Sequence, residues 1–217
     1  MIDFTIIGFP KCGTTSLLIN INKFQGVETL PYEPQIPEFF DTYTYPSTTK
    51  KFGFKNPRII YDLDDWYPLI KNSKIIICVR HPADYLWSFF WYRKEENKSD
   101  STTFSEIIDH HRTWRDVSTK SAYFDKYIEN IYSKFPFDRV LILSLELLQT
   151  SPRMYYETVC RFLGIVYDDS INFTTENVNH SKHPFPSSLR EKLTNRYSQC
   201  FYDLQLLESK SQSFLMG

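Results

Sequence analysis

The sequence lacks an excess of charge of either sign. Its 217 residues include 25 basic and 26 acidic side chains, so the formal net charge at pH 7 is −1. A balanced chain produces no long-range field that would attract it to nucleic acid or to an anionic membrane. The composition therefore predicts no nucleic-acid partner, and any site for an anion must be built locally.

Cysteine and long apolar runs are also scarce. The four cysteines lie far apart without a CxxC pair, so we expect free thiols and not a disulfide framework. No apolar run approaches the roughly 18 residues of a membrane span, and the N-terminus lacks the pattern of a signal peptide. These absences predict a soluble, cytoplasmic protein without a membrane segment. A chain cut free of a Golgi signal or anchor would have the same features.

Short apolar runs alternate with helical patterns along the chain. Strands are predicted at Phe4–Gly8, Lys51–Lys55, Lys74–Val79 and Val140–Ser144, and helices at 15–24, 59–71, 82–94, 103–116, 122–134, 152–163 and 187–208. Four prolines in residues 31–50 predict a long surface loop. The alternation indicates an α/β fold, a single domain over 1–217 with a central parallel sheet flanked by helices on both faces. Ligands should bind beyond the carboxyl ends of the strands.

The first predicted strand runs into a loop with the sequence GFPKCGTTS at residues 8–16. Glycines let a backbone approach an anion closely, and the N–H groups and dipole at a helix start attract phosphate. Gly8 and Gly13 have the spacing of the P-loop pattern GxxxxGK[ST], but Thr14 occupies the place of its lysine. We interpret the segment as a P-loop-like phosphate cradle with Lys11 inside it. The alternative is that the glycines only shape a tight turn.

A second anion-binding group is predicted after the strand Lys74–Val79. A P-loop kinase or ATPase could place a magnesium-binding aspartate at this strand, whereas here the strand ends at Arg80. The planar donor fork of arginine suits phosphate, and Ser88 on the following helix adds a hydroxyl donor. The alternative is that Arg80 pairs with Asp84 in a salt bridge at the helix start.

Five segments together resemble the sulfotransferases that use PAPS (3′-phosphoadenosine 5′-phosphosulfate). In chain order they read PKCGTTS, FGFKNP, KIIICVRHPADYLWSFFWYR, LILSLELLQTSPRMYYETVCRFLGI and NHSKHPFPSSLREKLTNRYSQCFYDL. The resemblance is closest to the Golgi carbohydrate type, including heparan-type enzymes, and to small bacterial-like relatives. It implies metal-independent, in-line transfer of a sulfuryl group from PAPS to a hydroxyl or amine, with release of PAP (adenosine 3′,5′-bisphosphate).

The resemblance also implies which residues bind the nucleotide. They are Lys11, Cys12, Gly13, Thr14, Thr15 and Ser16 around the 5′-phosphosulfate, Arg80 and Ser88 around the 3′-phosphate, and Ser181 and Lys182 in a loop that closes over the nucleotide. Lys11 would neutralise the leaving phosphate, and Lys55 would contact the sulfuryl oxygens. The alternative for Lys55 is an ordinary charge at a strand end, and for Lys182 a solvated surface charge.

A hydroxyl acceptor also needs a general base near its proton. Cytosolic relatives place a histidine two residues after the lysine of the second strand, where this chain has Pro57. Carbohydrate and tyrosylprotein relatives use a glutamate from the loop after the first helix, and the segment YEPQIPEFFD offers Glu33 and Glu38. We favour Glu33. Among the histidines, only His183 lies in a loop expected at the site.

Two other functions stay open on the residues alone. A P-loop kinase acting on a small molecule would require magnesium and ATP, which Thr14 and the strand end at Arg80 serve poorly. A non-catalytic phosphoadenosine-binding module would not need Lys11 and Lys55. The sequence does not identify the acceptor, so carbohydrate, small alcohol, lipid and peptide acceptors all stay open, as does the oligomeric state.

Overall fold

The computed structural model of the protein describes residues 1–46, 49–174 and 183–215. Its strands are β1 (Phe4–Gly8), β2 (Val27–Thr29), β3 (Lys51–Lys55), β4 (Lys74–Val79) and β5 (Val140–Ser144). Its α-helices are α1 (Thr14–Ile21), α2 (Leu63–Ile70), α3 (Pro82–Glu96), α4 (Phe104–Asp109), α5 (Phe124–Tyr132), α6 (Leu145–Thr150), α7 (Pro152–Leu163), α8 (Ser187–Arg196) and α9 (Ser198–Ser213). Short 3-10 helices cover Pro37–Asp41, Pro57–Ile60, Thr119–Ala122 and Phe137–Arg139.

The five strands form one parallel sheet in the order β2-β3-β1-β4-β5. In register, Ile6 of β1 lies beside Lys55 of β3, and Gly8 of β1 lies beside Cys78 of β4. From β1 the chain first builds the β3 side of the sheet and then crosses to the β4 side. Such a switch in direction opens a crevice beyond the strand ends, which is where open α/β sheets bind ligands.

The central strands β1 and β4 are apolar along almost their whole length because helices cover both faces of the sheet. Ile6, Ile7, Ile76 and Ile77 are completely buried, and this continuous apolar pattern is typical of parallel strands. Gly8 has a φ of +137°, and a Cβ atom there would lie 2.3 Å from the carbonyl oxygen of Cys78. Only glycine therefore lets β1 and β4 pair closely at the point where the phosphate loop begins. The predicted α/β fold class is confirmed.

Three predicted helix boundaries are wrong. The helix predicted at 103–116 ends at Asp109, since His111, Arg115 and Asp116 have positive φ angles. The helix at 59–71 is a 3-10 helix followed by α2, and the one at 187–208 is α8 and α9, separated at Tyr197. The three-residue β2 and the six-residue α6 were not predicted, because elements so short show no periodicity.

The cysteines are free, as predicted, and all four are buried. Burial raises the pKa of Cys78, Cys160 and Cys200 to about 12. These thiols therefore stay protonated and act as small core residues. In the described ranges, no helix combines the length and apolar character needed to cross a bilayer.

Candidate active site

The carboxyl ends of β1, β3 and β4 open into one cavity with a volume of about 970 Å³. Most of the side chains predicted from the motifs line it, namely Lys11, Gly13, Thr14, Thr15, Ser16, Glu33, Lys55, Arg80 and Ser88. These residues come from four separate segments of the chain. The parallel sheet brings them together because its strand ends meet at the same edge.

The loop after β1 leads into an uncapped helix. Gly13 is the N-cap residue of α1 with a φ of +88°, and no side chain caps the first turn of this helix. Lys11 also has a positive φ of +64°. The first N–H groups of a helix have no partner within the helix. The start of α1 can therefore donate to an anion in the cavity, as a phosphate cradle requires.

Lys11 and Arg80 place two positive charges near this helix start. Within the described part of the chain, neither side chain forms a direct ion pair with a carboxylate, although the Glu95 charge acts on Lys11 and the Arg80 charge acts on Asp84 from beyond ion-pairing distance. The Lys11 ammonium lies 4.8 Å from the ring centroid of Tyr92, a cation–π contact that the sequence did not reveal. Burial, and then the charge of Arg80, lower the pKa of Lys11. Two neighbouring cations without a carboxylate partner form a site that an anion would stabilise.

The alternative pairing of Arg80 with Asp84 is wrong. The Asp84 carboxylate instead accepts two hydrogen bonds from Arg190 of α8, each 2.9 Å long. Burial alone would raise the pKa of Asp84, but the hydrogen bonds and charge of Arg190, followed by the more distant charge of Arg80, lower it. Glu146 accepts a 2.9 Å hydrogen bond from the His81 backbone N–H and so holds the peptide that follows Arg80. Arg80 therefore lines the cavity without a direct salt bridge to Asp84.

At the end of β3, Lys55 forms a buried polar cluster. Its ammonium donates a 2.8 Å hydrogen bond to the Thr15 hydroxyl and pairs with the Glu33 carboxylate. The Asn56 side chain donates a 2.9 Å hydrogen bond to the Pro34 carbonyl and thereby ties the Glu33 loop to β3. Lys55 is 7% exposed. A buried, paired ammonium is not an ordinary strand-end charge, because burial of a charge is tolerated only with such partners.

The remaining residues discussed in the sequence analysis differ in whether they reach the cavity. Glu38 is exposed in the 3-10 helix Pro37–Asp41 and does not line the cavity. Cys12 is buried, its N–H donates to the Phe9 carbonyl, and it does not line the cavity either. Ser181 and Lys182 lie outside the described residues. Pro57 lines the cavity at the position of the cytosolic histidine.

A buried asparagine that the motifs did not reveal supports one cavity wall. Asn20 of α1 donates hydrogen bonds of 2.7 Å to the Tyr156 hydroxyl and the Thr174 carbonyl, and accepts one of 2.9 Å from the Thr174 N–H. Thr174 and the adjacent Phe173 line the cavity. The only sequence signal was a polar residue on the apolar side of a helix.

The aromatic residues of α3 support another wall. The rings of Trp87 and Phe185 stack at a centroid distance of 4.7 Å, and those of Trp91 and His183 at 3.5 Å. All four rings line the cavity. His183 is therefore at the site, as expected from its loop, but its ring is held against Trp91.

Comparisons with known proteins agree with this geometry. The family model of the sulfotransferase domain matches residues 1–203. A bifunctional heparan sulfate N-deacetylase/N-sulfotransferase 1 from Xenopus tropicalis is 27% identical over 193 residues, which cover 74% of this chain and 22% of that protein. The chain thus spans less than a quarter of the length of this relative.

Two solved structures share the fold. A sulfotransferase from Alicyclobacillus acidocaldarius superimposes with a TM-score of 0.72 at 17% identity, covering 100% of this chain and 99% of that one. A mouse sulfotransferase complexed with PAP gives a TM-score of 0.65 at 18% identity, covering 98% and 89%. The chain belongs to the sulfotransferase domain family. The family that the sequence resembles is thereby confirmed.

Proposed function

We propose that this protein transfers the sulfuryl group of PAPS to an acceptor hydroxyl or amine in the cavity at the ends of β1, β3 and β4. The observation that carries the proposal is the pair Lys11 and Arg80, which flank the uncapped start of α1 without a carboxylate partner in the described residues. A donor with separate 5′- and 3′-phosphate groups supplies the two anions that these cations need. Ser88 adds a hydroxyl beside Arg80, and Ser181 and Lys182 complete the proposed nucleotide site.

The transfer needs charge stabilisation and in-line positioning more than covalent catalysis. Lys55 contacts the oxygens of the moving sulfuryl group, and Lys11 stabilises the charge that grows on the leaving phosphate. A lone pair of the acceptor attacks sulfur while the bond between sulfur and the bridging oxygen breaks, so PAP leaves with that electron pair. Glu33 takes the acceptor proton. Its pairing with Lys55 supports this role, whereas the exposed Glu38 does not reach the cavity.

The lysines and the arginine can supply this stabilisation without a metal, so we propose a metal-independent reaction. A kinase acting on magnesium ATP is disfavoured because Arg80, and not a carboxylate, follows β4. A non-catalytic module is disfavoured by the Lys55–Glu33 pair, since nucleotide binding alone has no use for an acid paired with the lysine beside the transferred group. We also propose that residues 1–217 form one domain, which the family match over 1–203 supports.

Labelled PAPS tests this function directly. Purified protein should transfer label to members of a mixed acceptor pool, and PAP should raise its melting temperature, because a ligand that binds only the folded state stabilises it. ATP with magnesium should raise it much less. Equal stabilisation by PAP and magnesium ATP would favour the kinase, and PAP binding without transfer to any acceptor would favour the binding module.

A further inference from the structure

A second hollow of about 380 Å³ adjoins the active-site cavity. Thr15, Glu33 and Lys55 line both spaces. The remaining lining residues are Leu18 and Ile19 of α1 together with Pro31, Tyr32 and Gln35 of the loop after β2. The hollow therefore starts at the groups proposed to act on the sulfuryl group and its acceptor, and it extends away from the phosphate loop.

The order of the strands places this hollow on the acceptor side of the transfer. Arg80 follows β4, Lys11 follows β1 and Lys55 ends β3, and these three strands are successive neighbours in the sheet. Neighbouring strands lie about 4.8 Å apart, so the 3′-phosphate, 5′-phosphate and sulfuryl sites follow one another across the sheet. The next strand is β2, and the hollow uses the loop after it. In-line displacement requires the attacking atom opposite the leaving phosphate, which is this side.

The walls of the hollow are apolar or uncharged apart from one ion pair. Ile19 is 38% exposed and Tyr32 is 50% exposed, so both present apolar surface beside the polar centre. Among the described residues that line the hollow, only Glu33 and Lys55 are charged, and they pair with each other. A charged group on an acceptor would find no unpaired counter-charge here. An apolar ring would bury against Ile19 and Tyr32.

We propose that this hollow is the acceptor site and that the acceptor is a small, uncharged alcohol or phenol with an apolar body. The inference rests on the proposed sulfuryl transfer. The hollow has a volume of about 380 Å³, which is at the lower end of the roughly 300–1,000 Å³ range of small-molecule sites. This volume suits an acceptor body of one or two rings. The acceptor oxygen attacks sulfur, its proton passes to Glu33, and the sulfate ester and PAP are released.

Two probes of equal shape and different charge test the proposal. With PAPS as donor, 2-naphthol should be sulfated with a kcat/KM at least about tenfold higher than 6-hydroxy-2-naphthoate, because a carboxylate that leaves bulk water for this hollow would meet no unpaired counter-charge. The variants Tyr32→Ala and Ile19→Ala should raise the KM for 2-naphthol several-fold while the PAP affinity stays unchanged. Ile36→Ala is the matched control, since Ile36 is 57% exposed in the same loop and does not line the hollow. It should change neither value.

Several outcomes would overturn the proposal. A preference for the carboxylated probe that Arg58→Ala abolishes would place the acceptor beside Arg58, an exposed residue lining the main cavity. Faster transfer to a heparan oligosaccharide than to 2-naphthol, unaffected by Tyr32→Ala, would also overturn it. So would a protein that binds PAP but does not sulfate 2-naphthol when PAPS is the donor and, once loaded with PAP, does not bind 2-naphthol in a fluorescence titration. Failure of the unmodified protein to bind PAP would contradict the proposed function instead.

Discussion

The candidate active-site cavity has two ends, called the donor end and the acceptor end after their proposed roles. They differ in whether their positive charges have carboxylate partners. At the donor end, Lys11 and Arg80 lie beside the start of α1 without a carboxylate partner in the described residues. At the acceptor end, Lys55 is already paired with Glu33 and hydrogen-bonded to Thr15. The donor end is therefore incomplete without an anion, whereas the acceptor end is close to neutral by itself.

This difference separates affinity from chemistry. Unpaired cations gain the most from an arriving anion, so loss of Arg80 should act mainly on nucleotide binding, whereas loss of Lys11 should also lower turnover because Lys11 stabilises the leaving phosphate. A paired lysine and glutamate gain little from a simple anion, so substitutions there should act mainly on turnover. Variants at the two ends test whether binding and turnover separate in this way.

Removal of the proposed base should have the largest effect. Glu33→Gln keeps the shape of the side chain but cannot accept the acceptor proton, so turnover of a hydroxyl acceptor should fall by about 10²–10⁴-fold. PAP affinity should not weaken, because the change leaves Lys55 without its carboxylate. Steady-state kinetics and a PAP titration measure both quantities. Glu38→Gln is the matched control; if it is the damaging change and Glu33→Gln is silent, Glu33 is not the base.

Loss of the paired lysine should follow in size. Lys55→Ala removes a positioned positive charge from the transition state, and the loss of one such donor lowers turnover by about 10²–10³-fold. Lys51→Ala is the control at the other end of the same strand, where Lys51 is exposed and pairs with Asp3. Single-turnover kinetics should show a slow chemical step only for Lys55→Ala. Full activity of that variant would remove Lys55 from the mechanism.

At the donor end, Arg80→Ala should mainly weaken binding. Loss of one charge-assisted contact to the 3′-phosphate should raise the PAP dissociation constant by about 10- to 150-fold, or about 1.5–3 kcal/mol. Adenosine 5′-phosphosulfate lacks that phosphate, so calorimetry should show almost unchanged binding. Arg153→Ala removes a surface arginine that pairs with Glu157 and serves as the control. Equal weakening of both ligands would mean that Arg80 supports the fold instead of binding the 3′-phosphate.

The smallest expected effect is a pH dependence of PAP binding. Burial and the charge of Arg80 lower the pKa of Lys11, and a bound phosphate would raise it again. Above the lowered pKa, binding must therefore take up a proton, so affinity should fall as the pH rises, at a less alkaline pH than for an ordinary lysine. PAP titrations across the alkaline range measure this decline. Lys11→Arg keeps its charge and should shift the decline to higher pH; the same profile for both proteins would exclude Lys11 as its origin.

The donor end was predictable because each of its parts is local in the sequence. A strand, a glycine-containing loop and a helix start are adjacent along the chain at residues 4–21, and Arg80 follows directly from an apolar strand. Strand ends of a parallel sheet meet at one edge, so these pieces could be assembled without coordinates. Lys55 could be predicted for the same reason, because it is the last residue of β3.

Contacts between distant segments could not be predicted from the sequence and are seen only in the folded structure. Glu33 and Glu38 occur in the same loop, and the hydrogen bond from Asn56 to the Pro34 carbonyl brings the first of them to Lys55. The partner of Asp84 is Arg190, 106 residues away, and not the neighbouring Arg80. Local patterns in the sequence were enough to predict the fold class and the candidate phosphate site, because apolar periodicity and strand-loop-helix motifs act over a few residues. Side chains 20 to 150 residues apart meet only after the sheet and helices have packed, so only that packing distinguishes the proposed base from Glu38 and shapes the proposed acceptor end.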